Sequence, residues 1–495
     1  MRAAWHAAQV LAAEARLLAT VPELTLMQRA ATGLARRCAL LLADQNGLYG
    51  SDVLLLIGAG NNGGDALFAG ALLARRGARV RAVLLNPERS HAEGLAALRR
   101  AGGTVVPLST LSESTVDLVV DGIVGIGASG PLRGAAADAA EKLAVVRERR
   151  PRPIVVAVDV PSGVDVDTGA VNGPAVSADV TVTFGCLKPA LVVGPAAPLA
   201  GQVDLVDIGL PNPDGAPAVR VPDLADVASW WPMPDAVSDK YTRGVAGIAT
   251  GSRDFPGAAL LSVAGGLAGP AGMVRYAGPI AGDVIRAHPS VVVSGRVAEA
   301  GRVQAWLVGC GIGTDERARE EVRAVLGSSV PAVLDADALT LLDGGPLPAA
   351  LRDRTAPTVV TPHDREFARL AGETVGTDRV NAAQLLARRL RVVVLLKGDR
   401  TVVATPDGNA FANPTGTPAL ATAGTGDVLA GLLVSLLAAG LPAARAAVAA
   451  AYLHGLAGRH AAARSGVGGT VPVTAPDVAA ALPMVIATRP NPTHG

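Results

Sequence analysis

Six short apolar runs set the strongest limit on what this chain can fold into: Val53–Ile57, Arg79–Leu85, Thr104–Pro107, Asp117–Asp121, Ile154–Asp159 and Asp179–Phe184. As a set they are rich in Val, Ile and Leu and do not alternate polar with apolar residues. Strands of that kind are buried on both faces, as in a parallel sheet between helices. Ala66–Arg76 and Ala92–Arg100 read as the crossover helices that parallel strands require. The pattern predicts a doubly wound α/β unit, with two helices from Ala7 to Leu42 set against its sheet.

A stretch rich in Pro, Gly and Asp follows, "GLPNPDGAPAVRVPD", Gly209 to Asp223. It places a boundary between domains 1–217 and 218–495, in keeping with ~100–200 residues per domain. A second α/β run comes next. Val245–Thr250, Trp306–Cys310, Ala332–Asp335, Thr358–Thr361 and Val392–Leu396 read as buried strands. Thr401–Pro406 and Asn409–Asn413 read as a hairpin about an Asp-Gly turn. Helices are expected over about 425–440 and 443–463. Val428–Leu441 is the most membrane-like segment, but it is too short to span and reads as a core helix.

Composition removes several function classes. The formal net charge is +1 in 495 residues, and no basic patch with interleaved aromatics is present, which argues against nucleic acid as a partner. Three dispersed cysteines, Cys38, Cys186 and Cys310, form no CxxC pair and fit a reducing cytoplasm. Glu14 and Arg16 interrupt the apolar N-terminal run, which makes a poor signal peptide. Arginine far outnumbers lysine; only Lys142, Lys188, Lys240 and Lys397 occur. A lysine that persists against that bias is a candidate for a role that needs an ammonium.

Ligands of doubly wound sheets bind at the carboxyl ends of the strands. Three such ends in the first domain carry polar groups. "GAGNNGGDALFAG" holds Asn61, Asn62, Gly63, Gly64 and Asp65. Asp121 precedes a glycine-rich loop made of Gly125, Ile126, Gly127, Ala128, Ser129, Gly130 and Pro131. "VDVPSG" supplies Asp159 and Ser162. Glycines let backbone N–H groups approach a phosphate, and Asn, Asp and Ser oxygens suit a hard cation. Ordinary α/β turns use the same residues, so it is the three loops together that carry weight.

These motifs, with "TFGCLKPA" downstream, resemble the NAD(P)H-hydrate epimerase family over roughly Gly58 to Pro189. The resemblance implies a Rossmann-like three-layer αβα fold and interconversion of the C6 epimers of hydrated NADH or NADPH. It implies that Asn61–Asp65, Gly125–Pro131 and Asp159 hold the hydrated nucleotide, and that Asn62, Asp121 and Ser162 hold a potassium ion. Asp159 and Lys188 are the candidates for acid–base work. Ala66 and Ala190 stand where that family has glycine. The chemistry is coherent by itself: the ring nitrogen assists loss of the C6 hydroxyl, and water returns to either face of the planar cation.

In the second domain "ATAGTGDVLAGLL" places Gly424, Thr425, Gly426 and Asp427 at the start of a long apolar helix. An aspartate there can take a proton from a substrate hydroxyl beside an anion-binding helix end; it can equally be a plain N-cap. "VGCGIGTD", "LDADAL" (Asp335, Asp337), "TPHDREFARL" (His363, Glu366) and "LLKGDRTVVATP" also fall at strand ends. Together these resemble the ribokinase-like NAD(P)H-hydrate dehydratase family over about Arg243 to Pro476. The resemblance implies that Ala258, Gly313, His363 and Asp427 contact the hydrate. It implies that Lys397, Gly398, Asp399, Arg400, Thr401 and Gly426 contact ADP, with magnesium. Asp427 would be the catalytic base for phosphorylation of the C6 hydroxyl, after which phosphate leaves. Thr250 occupies a glycine position of that family.

The leading expectation is a cytoplasmic, homo-oligomeric, bifunctional repair enzyme acting on small molecules, with neither nucleic acid nor membrane as partner. Two alternatives stay open at this point. One is a ribokinase-like kinase of vitamins or sugars with a nucleotide-binding regulatory domain. The other makes the N-terminal half a non-enzymatic nucleotide- or lipid-binding module.

Overall fold

All six apolar runs of the first half become strands of one sheet in the computed structural model. Its spatial order is Thr104–Val105, Arg79–Leu84, Asp52–Ile57, Leu118–Gly122, Ile154–Val158, Val180–Phe184 and Gln202–Val206. Every neighbouring pair is parallel. The winding reverses between Asp52–Ile57 and Leu118–Gly122, and a crevice opens at the carboxyl ends of strands at such a point. The seventh strand, Gln202–Val206, is an edge strand with no fully buried residue, so its sequence lacks the apolar run that marks the others. The structure describes residues 1–22, 24–45, 47–113, 115–127, 130–342, 347–463 and 471–489; the side chains of 347 and 348 are set aside. Ala128 and Ser129 lie outside the described residues.

The first crossover helix spans Asn61–Ala74. Asn61 to Asp65 are therefore its opening turns, not a loop before a helix at Ala66. Two glycines at Gly63 and Gly64 disfavour helix by ~1 kcal/mol each, which is why the sequence reads as a turn. Packing demands them there. A Cβ on Gly63 would lie 2.6 Å from the Gly58 carbonyl oxygen, and one on Gly64 2.9 Å from Met27 Cε. The N-terminal helices form as Ala7–Leu18 and Thr25–Ala43.

Division of the chain by its contacts falls between Val219 and Arg220, with Met1–Arg2 joining the second unit. The parallel part of the second sheet runs Val393–Leu396, Thr358–Val360, Ala332–Leu334, Ala305–Val308, Val245–Ala249, Met273–Ala277 and Val292–Ser294. The hairpin Val402–Ala404 and Ala410–Ala412 adds antiparallel to Val393–Leu396. Winding reverses between Ala305–Val308 and Val245–Ala249. Met273–Ala277 and Val292–Ser294, interrupted by Arg275 and half-exposed, escape the apolar-run criterion.

The helix Thr425–Ala438 is a core element, as its apolar run implies. Twelve of its 14 residues are buried. It packs on Pro256–Ala268 with backbones nearly touching. A Cβ on Gly265 would sit 2.2 Å from the Val428 carbonyl oxygen, and one on Gly431 2.0 Å from that of Ser262. This close approach holds Asp427 over the strand ends. Among the described residues no helix is long and apolar enough to cross a membrane. The three cysteines are unpaired and buried.

Candidate active sites

At the N-terminal switch point Asn62 ties three loops together. Its amide Nδ2 donates to the Val158 carbonyl at 2.6 Å and to that of Val124 at 3.1 Å. Gly125 must lack a side chain, since a Cβ would meet Asn62 Oδ1 at 2.2 Å. Beside them Asp121 is fully buried. Its Oδ1 accepts from Ser162 Oγ at 2.7 Å and from the Ile123 N–H at 3.3 Å, and its Oδ2 accepts from the Ser162 N–H at 2.9 Å. Burial pushes its pKa up to about 6, against the pull of those hydrogen bonds. The Val124 N–H donates to Ser162 Oγ at 3.1 Å. Asn62 and Ser162 thus meet at Val124, and Asp121 joins them through Ser162.

Asp159 sits at the next strand end with φ +67°, one of four non-glycine residues with positive φ among those described. The Val160 N–H reaches back to the Val158 carbonyl at 2.8 Å, closing a tight left-handed turn about Asp159 that side chains seldom adopt. The neighbouring strand ends alike: Gly185 has φ +69°, and the Cys186 N–H donates to the Phe184 carbonyl at 2.7 Å. Lys188 follows and is 1% exposed. Its Nζ donates to Asp159 Oδ1 at 2.5 Å, to Thr183 Oγ1 at 3.0 Å and to the Phe184 carbonyl at 3.1 Å. Asp159 Oδ1 also accepts from Thr183 Oγ1 at 3.0 Å and from the Phe184 N–H at 3.3 Å. All three ammonium protons are therefore spent within the protein.

Two further carboxyls belong to this pocket. Asp65 is 7% exposed and has no hydrogen-bond donor among the described residues. Burial, then Asp159, then Glu14 hold its pKa well above the usual carboxylate range. Glu14, from the helix Ala7–Leu18, is half-buried, and burial and then Asp159 raise its pKa while Lys188 lowers it. Sequence reasoning missed Glu14 because a lone acid in an Ala-rich helix has the signature of a solvent face. Its only signal was spacing: it follows buried Val10 by four residues and shares its face. Of the glycine-rich loop, Gly125 lies against Asn62 and Ile126 packs at the edge of the Trp5, Val10 and Cys186 cluster, while among the described residues nothing lies within 4 Å of a Cβ built on Gly60 or Gly127.

In the C-terminal unit Asp427 is not the helix cap. Gly424 is the N-cap, with φ +87°, and Asp427 is the third helical residue. Its carboxyl is free to face the strand ends. Burial, then Asp335, push its pKa up to about 7, opposed by Cys310 and Lys397. Lys397 Nζ donates to Asp335 Oδ1 at 2.7 Å and lies 3.6 Å from Glu366 Oε2. Burial works against the Lys397 charge, but these carboxylates outweigh it and raise its pKa. A Cβ on Gly426 would stand 3.7 Å from Lys397 Nζ and 4.0 Å from Asp335 Oδ2. Asp335, Asp427, Gly426 and Lys397 thus form one cluster. Asp335 and Glu366, its structural partners, appeared in the sequence only as strand-end acids.

His363 caps the helix Asp364–Ala371: its Nδ1 accepts from the Arg365 and Glu366 N–H groups at 3.1 and 3.2 Å. Nε2, on a half-exposed ring, lies 3.5 Å from Glu366 Oε1. Ala258 stands where a Cβ on Gly311 would meet its own at 2.8 Å, and the Gly313 N–H donates to Asp337 Oδ2 at 2.9 Å. Gly398, Asp399, Arg400 and Thr401 form the turn after Lys397. There Thr401 Oγ1 donates to the Gly398 carbonyl at 3.0 Å, and Arg400 donates to that of Pro414 at 2.9 Å. A cleft of about 250 Å³ adjoins the switch point, lined among others by Thr250, Asp254, Pro279 and Ile312. The Thr250 hydroxyl, buried there, has no hydrogen-bond partner among the described residues.

Comparison with known proteins finds a different family in each half of the chain. The family described as NAD(P)H-hydrate dehydratase matches residues 246–481, and that described as YjeF-related protein N-terminus matches 23–190. The bifunctional NAD(P)H-hydrate repair enzyme Nnr of Mycobacterium leprae (strain TN) is 48% identical over 476 residues, covering 96% of this chain and 97% of its own. This chain belongs to the bifunctional NAD(P)H-hydrate repair enzymes. Another member, from Salinibacter ruber, is 37% identical over 484 residues, with 88% of each chain covered. Repair enzymes of this family join an epimerase to a dehydratase, and the two matched segments are those halves. A ribokinase-like superfamily protein from Enterococcus faecalis V583 superposes on 57% of this chain and all of its own at a TM-score of 0.50 and 24% identity, which shows the C-terminal fold. An ADP/ATP-dependent NAD(P)H-hydrate dehydratase from Bacillus subtilis, co-crystallized with ATP/Mg2+, aligns at a TM-score of 0.49 with 30% identity over 54% of this chain and 98% of its own.

Proposed function

We propose that the N-terminal unit interconverts the R and S epimers of hydrated NADH and NADPH at the Asp159 site. The C-terminal unit dehydrates the S form at the Asp427 site, with ADP as phosphoryl donor. One observation carries the reading. Each unit holds a lysine–carboxylate pair at its strand ends, the buried Asp159–Lys188 or the part-buried Asp335–Lys397, with a second carboxyl of raised pKa beside it. Both sites are therefore built to hold a fixed charge next to a carboxyl held toward its protonated form.

In the first site the Asn61–Asp65 helix start, the Gly125–Pro131 loop and Asp159 surround the hydrate. The open space beside Gly60 and Gly127 admits its diphosphate. Asn62, Asp121 and Ser162 offer oxygen donors around a fully buried carboxylate that no cationic side chain among the described residues pairs with. That set fits a potassium ion rather than a transition metal. Bound there, the ion would offset the Asp121 charge and stiffen the loops that Asn62 ties.

In the second site Asp427 takes the proton of the C6 hydroxyl as it attacks the terminal phosphoryl group. Phosphate is a far better leaving group than hydroxide, and its elimination restores the dihydropyridine. Backbone N–H groups at Gly424–Gly426 face the developing charge, and Lys397 to Thr401 border the nucleotide. No group of three or more His, Cys, Asp or Glu among the described residues forms a metal cage. Magnesium would therefore arrive on the nucleotide phosphates, whose charge it neutralises. Ala258, Gly313 and His363 Nε2 border the hydrate.

Incubating hydrated NADH, both epimers present, with ADP tests the reading. Full recovery of NADH absorbance supports it. A stable phosphorylated product instead would make the second unit a small-molecule kinase. Asp159→Asn should leave the R epimer unconsumed, and Asp427→Asn should leave both.

A further inference from the structure

Resting on the epimerase reading of the N-terminal unit, we propose that Glu14, carried in by the N-terminal helix, is the proton-holding residue of that site. It shares with Asp65 the proton that the substrate oxygen takes as it leaves. Epimerisation through a planar cation needs an acid for the departing hydroxyl and the same group as base when water returns. The Asp159–Lys188 pair cannot supply that proton as it stands. All three Lys188 protons are bonded inside the protein, and Asp159 Oδ1 takes a donor from each of Lys188, Thr183 and Phe184. Giving one up would break a buried ion pair.

Two carboxyls nearby have no such commitments. Asp65 is more than nine-tenths buried and accepts no hydrogen bond among the described residues. Glu14 likewise has neither a hydrogen-bond nor an ion-pair partner there, although it faces Asp159 and Lys188. Its position is fixed by the backbone. The Trp5 N–H donates to the Leu187 carbonyl at 2.9 Å, and the Ala7 N–H to Asp167 Oδ1 at 2.7 Å. Val10 packs against Cys186, with Ile126 of the glycine-rich loop at the edge of that cluster. Glu14 lies one turn further along the same helix face, beside Ala13, which is also buried. Asp159 and Lys188 act electrostatically on Glu14, and Glu14 in turn acts on Asp65 and Cys186. The Asp159 carboxylate repels charge on both Glu14 and Asp65, and that repulsion favours a retained proton on them. This agrees with the upward shifts of Asp65 and Glu14.

In the step proposed, the C6–O bond breaks and its electron pair leaves on oxygen. That oxygen takes the proton held by Glu14 and Asp65 and departs as water. The ring-nitrogen lone pair forms the C=N bond. Water then adds to the other face, its oxygen bonding to C6, the C=N pair returns to nitrogen, and the surplus proton goes back to the carboxyl pair.

The test uses the full chain, hydrated NADPH with epimers separated by chromatography, and the variants Glu14→Gln, Glu14→Asp and Asp159→Asn. Glu14→Gln keeps the shape but not the proton. Epimerisation kcat is expected to fall about 100-fold with KM nearly unchanged, and Glu14→Asp to keep part of the rate. Dehydration of purified S epimer by the same preparation should be unaltered, which a general folding defect would not allow. Loss of the alkaline limb of the kcat–pH profile, where the acid would give up its proton, in Glu14→Gln would support the role further. The proposal is overturned if Glu14→Gln keeps the parent kcat while Asp159→Asn loses it, or if only KM rises. Should Asp159→Asn also keep the parent rate, the epimerase reading of this pocket fails and the proposal goes with it.

Discussion

The Lys188 ammonium and the Asp159 carboxylate lie 2.5 Å apart, almost wholly inside the protein, at the ends of adjacent strands. Each comes from a tight turn, and Thr183 bridges both. Three directed donors from a compact ammonium are more than a planar guanidinium can place in the same space. Lys188→Arg is therefore expected to lower epimerisation about 100-fold or more, with dehydration of the S epimer retained. Assaying the two activities on one preparation checks this.

The second site predicts a pH dependence. Asp427 accepts a proton only when ionised, and its pKa is pushed up to about 7. The kcat/KM for ADP-driven dehydration should fall about tenfold per pH unit below that value and level off above it. The linkage runs the other way for stability. A carboxyl whose folded pKa is raised favours the protonated fold, so its contribution is present at low pH and fades as pH rises through about 7. Asp427→Asn should abolish dehydration and flatten that part of the stability–pH curve, as read by urea unfolding between pH 5 and pH 8.

Among the described residues Lys397 is the only cation paired with Asp335, a carboxylate 3% exposed at its side chain. Lys397→Met should cost about 3–5 kcal/mol, because it strands a buried charge. Adding Asp335→Asn should recover a large part of that loss. Denaturant unfolding of the two singles and the double gives the coupling; simple additivity would rule out a direct pair.

Gly431 has no room for a methyl group, with the Ser262 backbone oxygen 2.0 Å from the Cβ position. Gly431→Ala should push the two core helices apart and cost at least about 1–3 kcal/mol. Gly440, where a Cβ would meet nothing although φ is +93°, provides a contrast in which only backbone strain acts. Thermal unfolding distinguishes the two.

Potassium binding makes its own prediction. Adding KCl, but not an equal concentration of a large organic cation chloride, should raise the melting temperature of the N-terminal unit. Asp121→Asn should remove that gain, since it deletes the one buried charge in the oxygen set. An unchanged response in Asp121→Asn would place the ion elsewhere.

Much of both sites was legible because strand-end chemistry is local. Apolar runs mark buried parallel strands, and the residues just after them must face the crevice, so Asp121, Asp159, Ser162 and Asp335 could be picked out from the chain alone. Of the four lysines that the composition makes conspicuous, Lys188 is buried and Lys397 part-buried, each paired with a buried aspartate, while Lys142 and Lys240 are exposed. The sequence by itself determined the two α/β units, the places where strands end and the acids that stand there, since these follow from periodicity and from residues adjacent in the chain. Only the tertiary structure decided that Asn61–Asp65 are helical, because a clash with Gly58 and Met27 outweighs glycine's poor propensity. It also decided that Asp427 lies inside its helix rather than capping it, and that Lys188 has no proton to spare. Glu14 enters the pocket for the same kind of reason: packing across some 170 residues of chain sets its neighbours, and burial among them, which no local pattern records, sets its charge.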